Sequence, residues 1–193
     1  WMVRRQRQMC IRDSTGFDLN KNNLDCIREA LTDHIGLSEV DLKLFHSCGV
    51  EMVEYAEREE IFDLFINDIP YILSAEKYND DPRDLGNIRN LDQFYSKVEV
   101  MMTNMKRLVK KSDYDKGIFK PIIMKVGSQR RGDKGLIDMA TDIEMIARKI
   151  GLTLHDKIFN ELRPSMQSYI LNTSFQKKFT MKLSESNLIF LRY

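Results

Sequence analysis

Apolar positions recur along this chain in two rhythms, one of period two and one close to 3.6. "TGFDLN", Thr15 to Asn20, reads as a short strand ending at Asp18, and "KNNLDCIREALTDHIG" follows with Leu24, Ile27 and Leu31 at helical spacing and Gly36 as a stop. "VDLKLFH" alternates like a strand, and "EMVEYAERE" is a short helix. "IFDLFIND", Ile61 to Asp68, is apolar on both faces, the pattern of a strand covered on two sides in a parallel sheet. A long amphipathic helix is predicted over "LDQFYSKVEVMMTNMKRLVKK", a strand over "FKPIIMKVG" and a helix over "IDMATDIEMIARKIG", with Gly151 at its end. "LTLHDKIFNEL" and "NLIFLRY" close the chain as strands. Strands alternating with helices predict an α/β sheet with right-handed crossovers. Met101, Met102 and Met105 fall on the long helix and read as core fillers.

Composition narrows the class. The 193 residues suffice for one domain, and 42% hydrophobic against 31% charged is a globular balance. No apolar run approaches the roughly 18 residues of a membrane span, and no secretory signal is visible. The three cysteines are scattered, which fits a reducing, cytoplasmic setting, and no Cys/His cluster has zinc-ligand spacing, so no metal is expected. Residues 1–14, "WMVRRQRQMCIRDS", follow neither rhythm. "RQMCIRDS" resembles translated sequencing-adapter read-through, so this stretch reads as non-native or disordered, a basic arm being the alternative. It carries a net +3 of the chain's +1, leaving −2 for residues 15–193, so any nucleic-acid surface has to be a local patch.

Ligands of open α/β sheets bind beyond the carboxyl ends of the strands, and two acids stand at such ends. Asp18, with Leu19 beside it, could accept from ribose hydroxyls; its other role is to cap the helix that "DLNKNN" opens. Asp68-Ile69-Pro70-Tyr71 offers more. Proline ends the strand and holds the preceding residue extended, so the Ile69 carbonyl can point into a cleft. Asp68 adds a second acceptor and Tyr71 a flat ring, which together suit a planar group bearing an exocyclic amine. An ordinary Asp-X-Pro turn with a packed tyrosine is the alternative for this tetrapeptide alone.

The succession "GFDLNKNNLDCIREAL", "VDLKLFHSCGVEMV", "IFDLFINDIPY", "YNDDPRDLGNIRNLDQFYSKV", "IIMKVGSQRRGDKGLIDMATDIEMIARKIGLTL" and "SNLIFLRY" resembles the amino-methylating DNA methyltransferases of bacteria and phages. The resemblance runs from residue 15 to 193. It implies a Rossmann-like α/β catalytic domain with a mostly parallel sheet flanked by helices, using S-adenosylmethionine. It implies a DNA duplex as partner, its target base flipped out, as in restriction-modification. Asp18 and Leu19 would hold the cofactor ribose. Asp68 and the Ile69 carbonyl, backed by Pro70, would accept from the target amine, and Tyr71 would stack on the base. Arg130, Arg131 and Lys134, with Lys177 and Lys178, would contact phosphate.

Three departures accompany the resemblance. The glycine-rich cofactor loop expected ahead of "GFDLN" is absent, so the chain reads as a truncated methyltransferase without its first strand, and inactive by itself. The usual Pro-Pro is Ile69-Pro70. Where the family presents an acid to the cofactor adenine, this chain has Ser47 and Cys48. The expected activity is methyl transfer to a DNA base amine, adenine N6 ahead of cytosine N4. An RNA or protein-glutamine methyltransferase, or a non-catalytic DNA-binding remnant, is the alternative.

Overall fold

A computed structural model describes residues 14–35, 42–56, 58–70, 80–131, 135–161 and 184–193. Strand β1 is Ser14–Asp18, helix α1 Lys21–Ile35 and strand β2 Leu42–His46. A 3-10 helix, Gly49–Tyr55, precedes β3, Phe65–Asp68. A second 3-10 turn at Leu85–Asn87 leads into α2, Leu91–Leu108. Then come β4 (Pro121–Val126), β5 (Gln129–Arg131), β6 (Gly135–Ile137), α3 (Met139–Lys149), β7 (Thr153–Glu161) and β8 (Ser184–Leu191).

The α/β architecture is as expected. β1 and β2 form a parallel pair, and β3-β4-β8-β7 form a second sheet. β3 runs parallel to β4, whereas β8 runs antiparallel to both β4 and β7, so this sheet is mixed. The expected basic loop "SQRRGDKG" is in part a hairpin: β5 pairs antiparallel with β6.

The core lies between one face of the larger sheet and helices α2 and α3. Phe94, Val98, Met101, Met102, Met105 and Leu108 recur three or four residues apart and are buried on one side of α2, so the methionines fill the core as expected. Ile122, Met124, Leu188 and Phe190 meet them from the sheet, each fully buried. Burying each such side chain contributes about 1.5–3 kcal/mol. Asn90 caps α2, its side chain accepting from the Gln93 amide at 2.9 Å. At the far end of α3 the Leu152 amide donates back to the Ala147 carbonyl and Gly151 takes φ +75°, the pattern of a Schellman stop.

β3 departs from the pattern read in "IFDLFIND". Only its last four residues form the strand, and Phe62 makes a lone bridge to Val109. Phe65 and Asn67 face the helices, whereas Leu64 and Ile66 are 46% and 72% exposed. Helices α2 and α3 lie on one face of this sheet, and among the described residues no helix covers the other. Ile66, Ile123 and Ile189 stand in register across that open face.

Candidate active site

The carboxyl ends of β1 and β2 are brought together by their parallel register, which sets Asp18 opposite His46. One Asp18 oxygen accepts from the Asn20 amide at 2.6 Å and the other from the Asn23 side chain at 3.0 Å. The first turn of α1 is capped by Asn20, whose side chain accepts from the Asn22 amide at 3.0 Å. Asp18 therefore braces the turn ahead of the helix, and its half-buried carboxylate keeps lone pairs to spare. His46 reaches back across the pair, its Nε2 2.9 Å from the Leu19 carbonyl. A Cβ at Gly16 would stand 2.9 Å from Leu44 Cδ2, the movable end of that side chain, which would have to shift to admit it.

Ser47 and Cys48 follow at the end of β2, and both are buried. Ser47 Oγ donates to Glu51 Oε2 at 3.1 Å, and Cys48 Sγ donates to the Arg83 carbonyl at 3.4 Å. Burial pushes the Cys48 thiol up, against the lowering effect of the Val50 backbone. It is a poor nucleophile in this state. Arg83 reaches Glu51 at 3.3 Å and Asp81 at 2.7 Å. Its hydrogen bonds hold the Asp81 carboxyl down at about 2. Thus the segment downstream of the Asp68-Ile69-Pro70 turn is fastened to the turn that ends β2. His46, Glu51 and Arg83 were not singled out by sequence reasoning; each acts through a partner distant in the chain.

Asp68 is the last residue of β3, and its side chain is 67% exposed. The strand alternates, so Asn67 turns inward, donating to Met101 Sδ at 3.3 Å, and Asp68 turns to the open face. Its register partner on β4 is Lys125, whose Nζ lies 2.9 Å from Asp68 Oδ2. Lys125 also lies 3.4 Å from Glu185 on β8. The Ile69 amide donates to the Lys125 carbonyl at 3.0 Å, and the Ile69 side chain is buried, so the ladder holds the backbone up to half-buried Pro70. Tyr71, Lys134, Lys177 and Lys178 lie outside the described residues. Arg130 and Arg131 lie on β5, where only the backbone is described. Among the described residues, no group of three or more His, Cys, Asp or Glu side chains could hold a metal ion. No helix there is long and apolar enough to cross a membrane.

No protein-family model matches the chain, and no curated protein matches its sequence. Solved structures do resemble it. A Thermus thermophilus protein assigned as a DNA modification methylase, complexed with S-adenosyl-L-methionine, superposes with a TM-score of 0.51. Identity is 15%, over 76% of this chain and 53% of that one. The cytosine-N4-specific PvuII DNA methyltransferase gives 0.52 at 12% identity, covering 76% and 48%. A methyltransferase of the S-adenosylmethionine-dependent class from Methanosarcina mazei gives 0.55 at 7% identity, covering 93% and 82%. The chain spans about half the length of the two DNA methylases. At such identities the shared property is the fold: this chain has the Rossmann-like α/β fold of the S-adenosylmethionine-dependent methyltransferases.

Proposed function

We propose that the chain carries the amine-accepting carboxylate of an S-adenosylmethionine-dependent methyltransferase acting on an exocyclic amine of a DNA base, adenine N6 ahead of cytosine N4. The observation that carries this reading is the exposed Asp68 carboxylate at the end of β3, followed by Ile69, whose amide is fixed to the Lys125 carbonyl ahead of Pro70. Asp18 fits the cofactor's ribose, since its carboxylate keeps spare lone pairs at the end of β1. The Ser47 and Cys48 side chains are committed to Glu51 and Arg83, so the backbone of their turn is what faces the adenine. When bound, the cofactor supplies an electrophilic methyl on sulfur.

An amine conjugated into a base ring is a weak nucleophile. Asp68 and the Ile69 carbonyl accept its hydrogens and orient its lone pair, which is catalysis by positioning and electrostatics. Tyr71 stacks on the extruded base, and Arg130, Arg131, Lys134, Lys177 and Lys178 meet the DNA backbone. Calorimetric titration with S-adenosylmethionine, beside methyl incorporation into DNA, RNA and protein, tests this. Asp68→Ala should abolish transfer and leave cofactor affinity within about twofold, since the carboxylate serves the transition state. Equal loss of affinity and rate would refute the role given to Asp68.

A further inference from the structure

Lys125 is an odd residue for its place. It stands near the end of β4, with a strand on either side, on the face that Ile66, Ile123 and Ile189 otherwise line. Alternation puts Met124 and Val126 into the core and Lys125 opposite, flanked by an acid on each neighbouring strand. Glu185 of β8 has only 18% of its side chain exposed, whereas Asp68 of β3 has 67%. The lysine is therefore backed by a largely buried acid and reaches towards an open one. Asp68 in turn holds the Lys125 ammonium above the usual lysine range, with a smaller contribution from Glu185.

We propose that Lys125 is a positioning residue for the methyl-transfer site: it pins Oδ2 of Asp68 and leaves Oδ1 to receive the substrate amine. The proposal rests on the reading of Asp68 as the amine acceptor. Among the described residues Lys125 is the one side chain bonded to the Asp68 carboxylate, and it engages a single oxygen. Without it, a carboxylate this exposed would rotate among its rotamers, and each amine bound would have to arrest that motion. Ordering one side chain costs about 0.5–1.5 kcal/mol, which corresponds to roughly two- to tenfold in affinity. An ordinary cross-strand ion pair would add a little to stability and leave ligand choice untouched.

Ligand choice therefore supplies the test, and it needs no turnover. The 193-residue chain is titrated with adenosine and with purine riboside, the same nucleoside without its amine, by NMR shift perturbation read at the Asp68, Ile69 and Lys125 amides, which separates this site from the cofactor's own nucleoside site. The wild type should prefer adenosine. Lys125→Met should lower that preference about two- to tenfold, Lys125→Arg should keep most of it, and Glu185→Gln should lie between. An unchanged preference in Lys125→Met, or an equal loss for both nucleosides, overturns the positioning role alone. A preference that survives in Asp68→Ala, or is absent from the wild type, overturns the reading of Asp68 and this inference with it.

Discussion

Tyr95 shows what one buried contact contributes to this molecule. Its hydroxyl, on α2, donates to Asp142 of α3 at 2.5 Å. Burial pushes the phenol well above its ordinary value, and the Asp142 carboxylate pushes it further. The favoured form is the neutral one, so the stabilisation is fully present below about pH 10 and fades as pH rises towards the folded value. Tyr95→Phe should cost about 1–3 kcal/mol in urea unfolding at pH 7, as loss of a hydrogen bond to a charged group does. The gap between the two proteins should narrow above pH 10. Phenolate absorbance at 295 nm should rise near pH 10 by a similar amount in both, because Tyr95 ionises above the ordinary phenol range. At this scale the sequence was partly informative. The acids at strand ends and the core methionines follow from local pattern. Lys125 and His46 do not, because the partner of each is set by strand register.

Helices were legible because their signals are local. The apolar stripe of α2, its Asn90 cap and the Gly151 stop all lie within a few residues of the features they control. Strands were less so. "IFDLFIND" has eight residues with strand character, yet pairing with β4 extends over four, and the "SQRRGDKG" hairpin carries no apolar alternation to announce it. Gly151 offers a test. Any Cβ there meets a positive φ and the Lys106 ammonium at 3.1 Å, while Lys106 itself donates to the Ile150 carbonyl at the end of α3. Gly151→Ala should cost about 1–2 kcal/mol, the penalty of the left-handed region for a side chain, read as a lowered urea midpoint at unchanged slope.

On the scale of the molecule, the larger sheet has two unlike faces. Ile122 is fully buried under α2, and Ile66 is 72% exposed on the other side, though both looked alike in the sequence. The difference depends on which helices fold back over which face, and no local period encodes that. Ile122→Ala should cost about 2–5 kcal/mol, whereas Ile66→Thr should change stability by no more than about 0.5 kcal/mol. Equal costs would mean that the outer face is covered as well as the inner.

The pairing of Asp68 with Lys125 has a consequence for time as well as for chemistry. The two residues are 57 positions apart, and α2 lies between them. No register between β3 and β4 can exist until that whole stretch has closed into a loop, and the entropy of closure has to be met before any strand bond rewards it. Helix α2 can form within microseconds; the sheet that orients the acid waits for a slow, non-local search. Refolding followed by far-ultraviolet dichroism should therefore show helix ahead of the near-ultraviolet dichroism that reports fixed aromatic packing. Met124→Ala, at the centre of the sheet, should slow folding more than Leu24→Ala in α1. The acid would then be among the last parts of the molecule to reach its place.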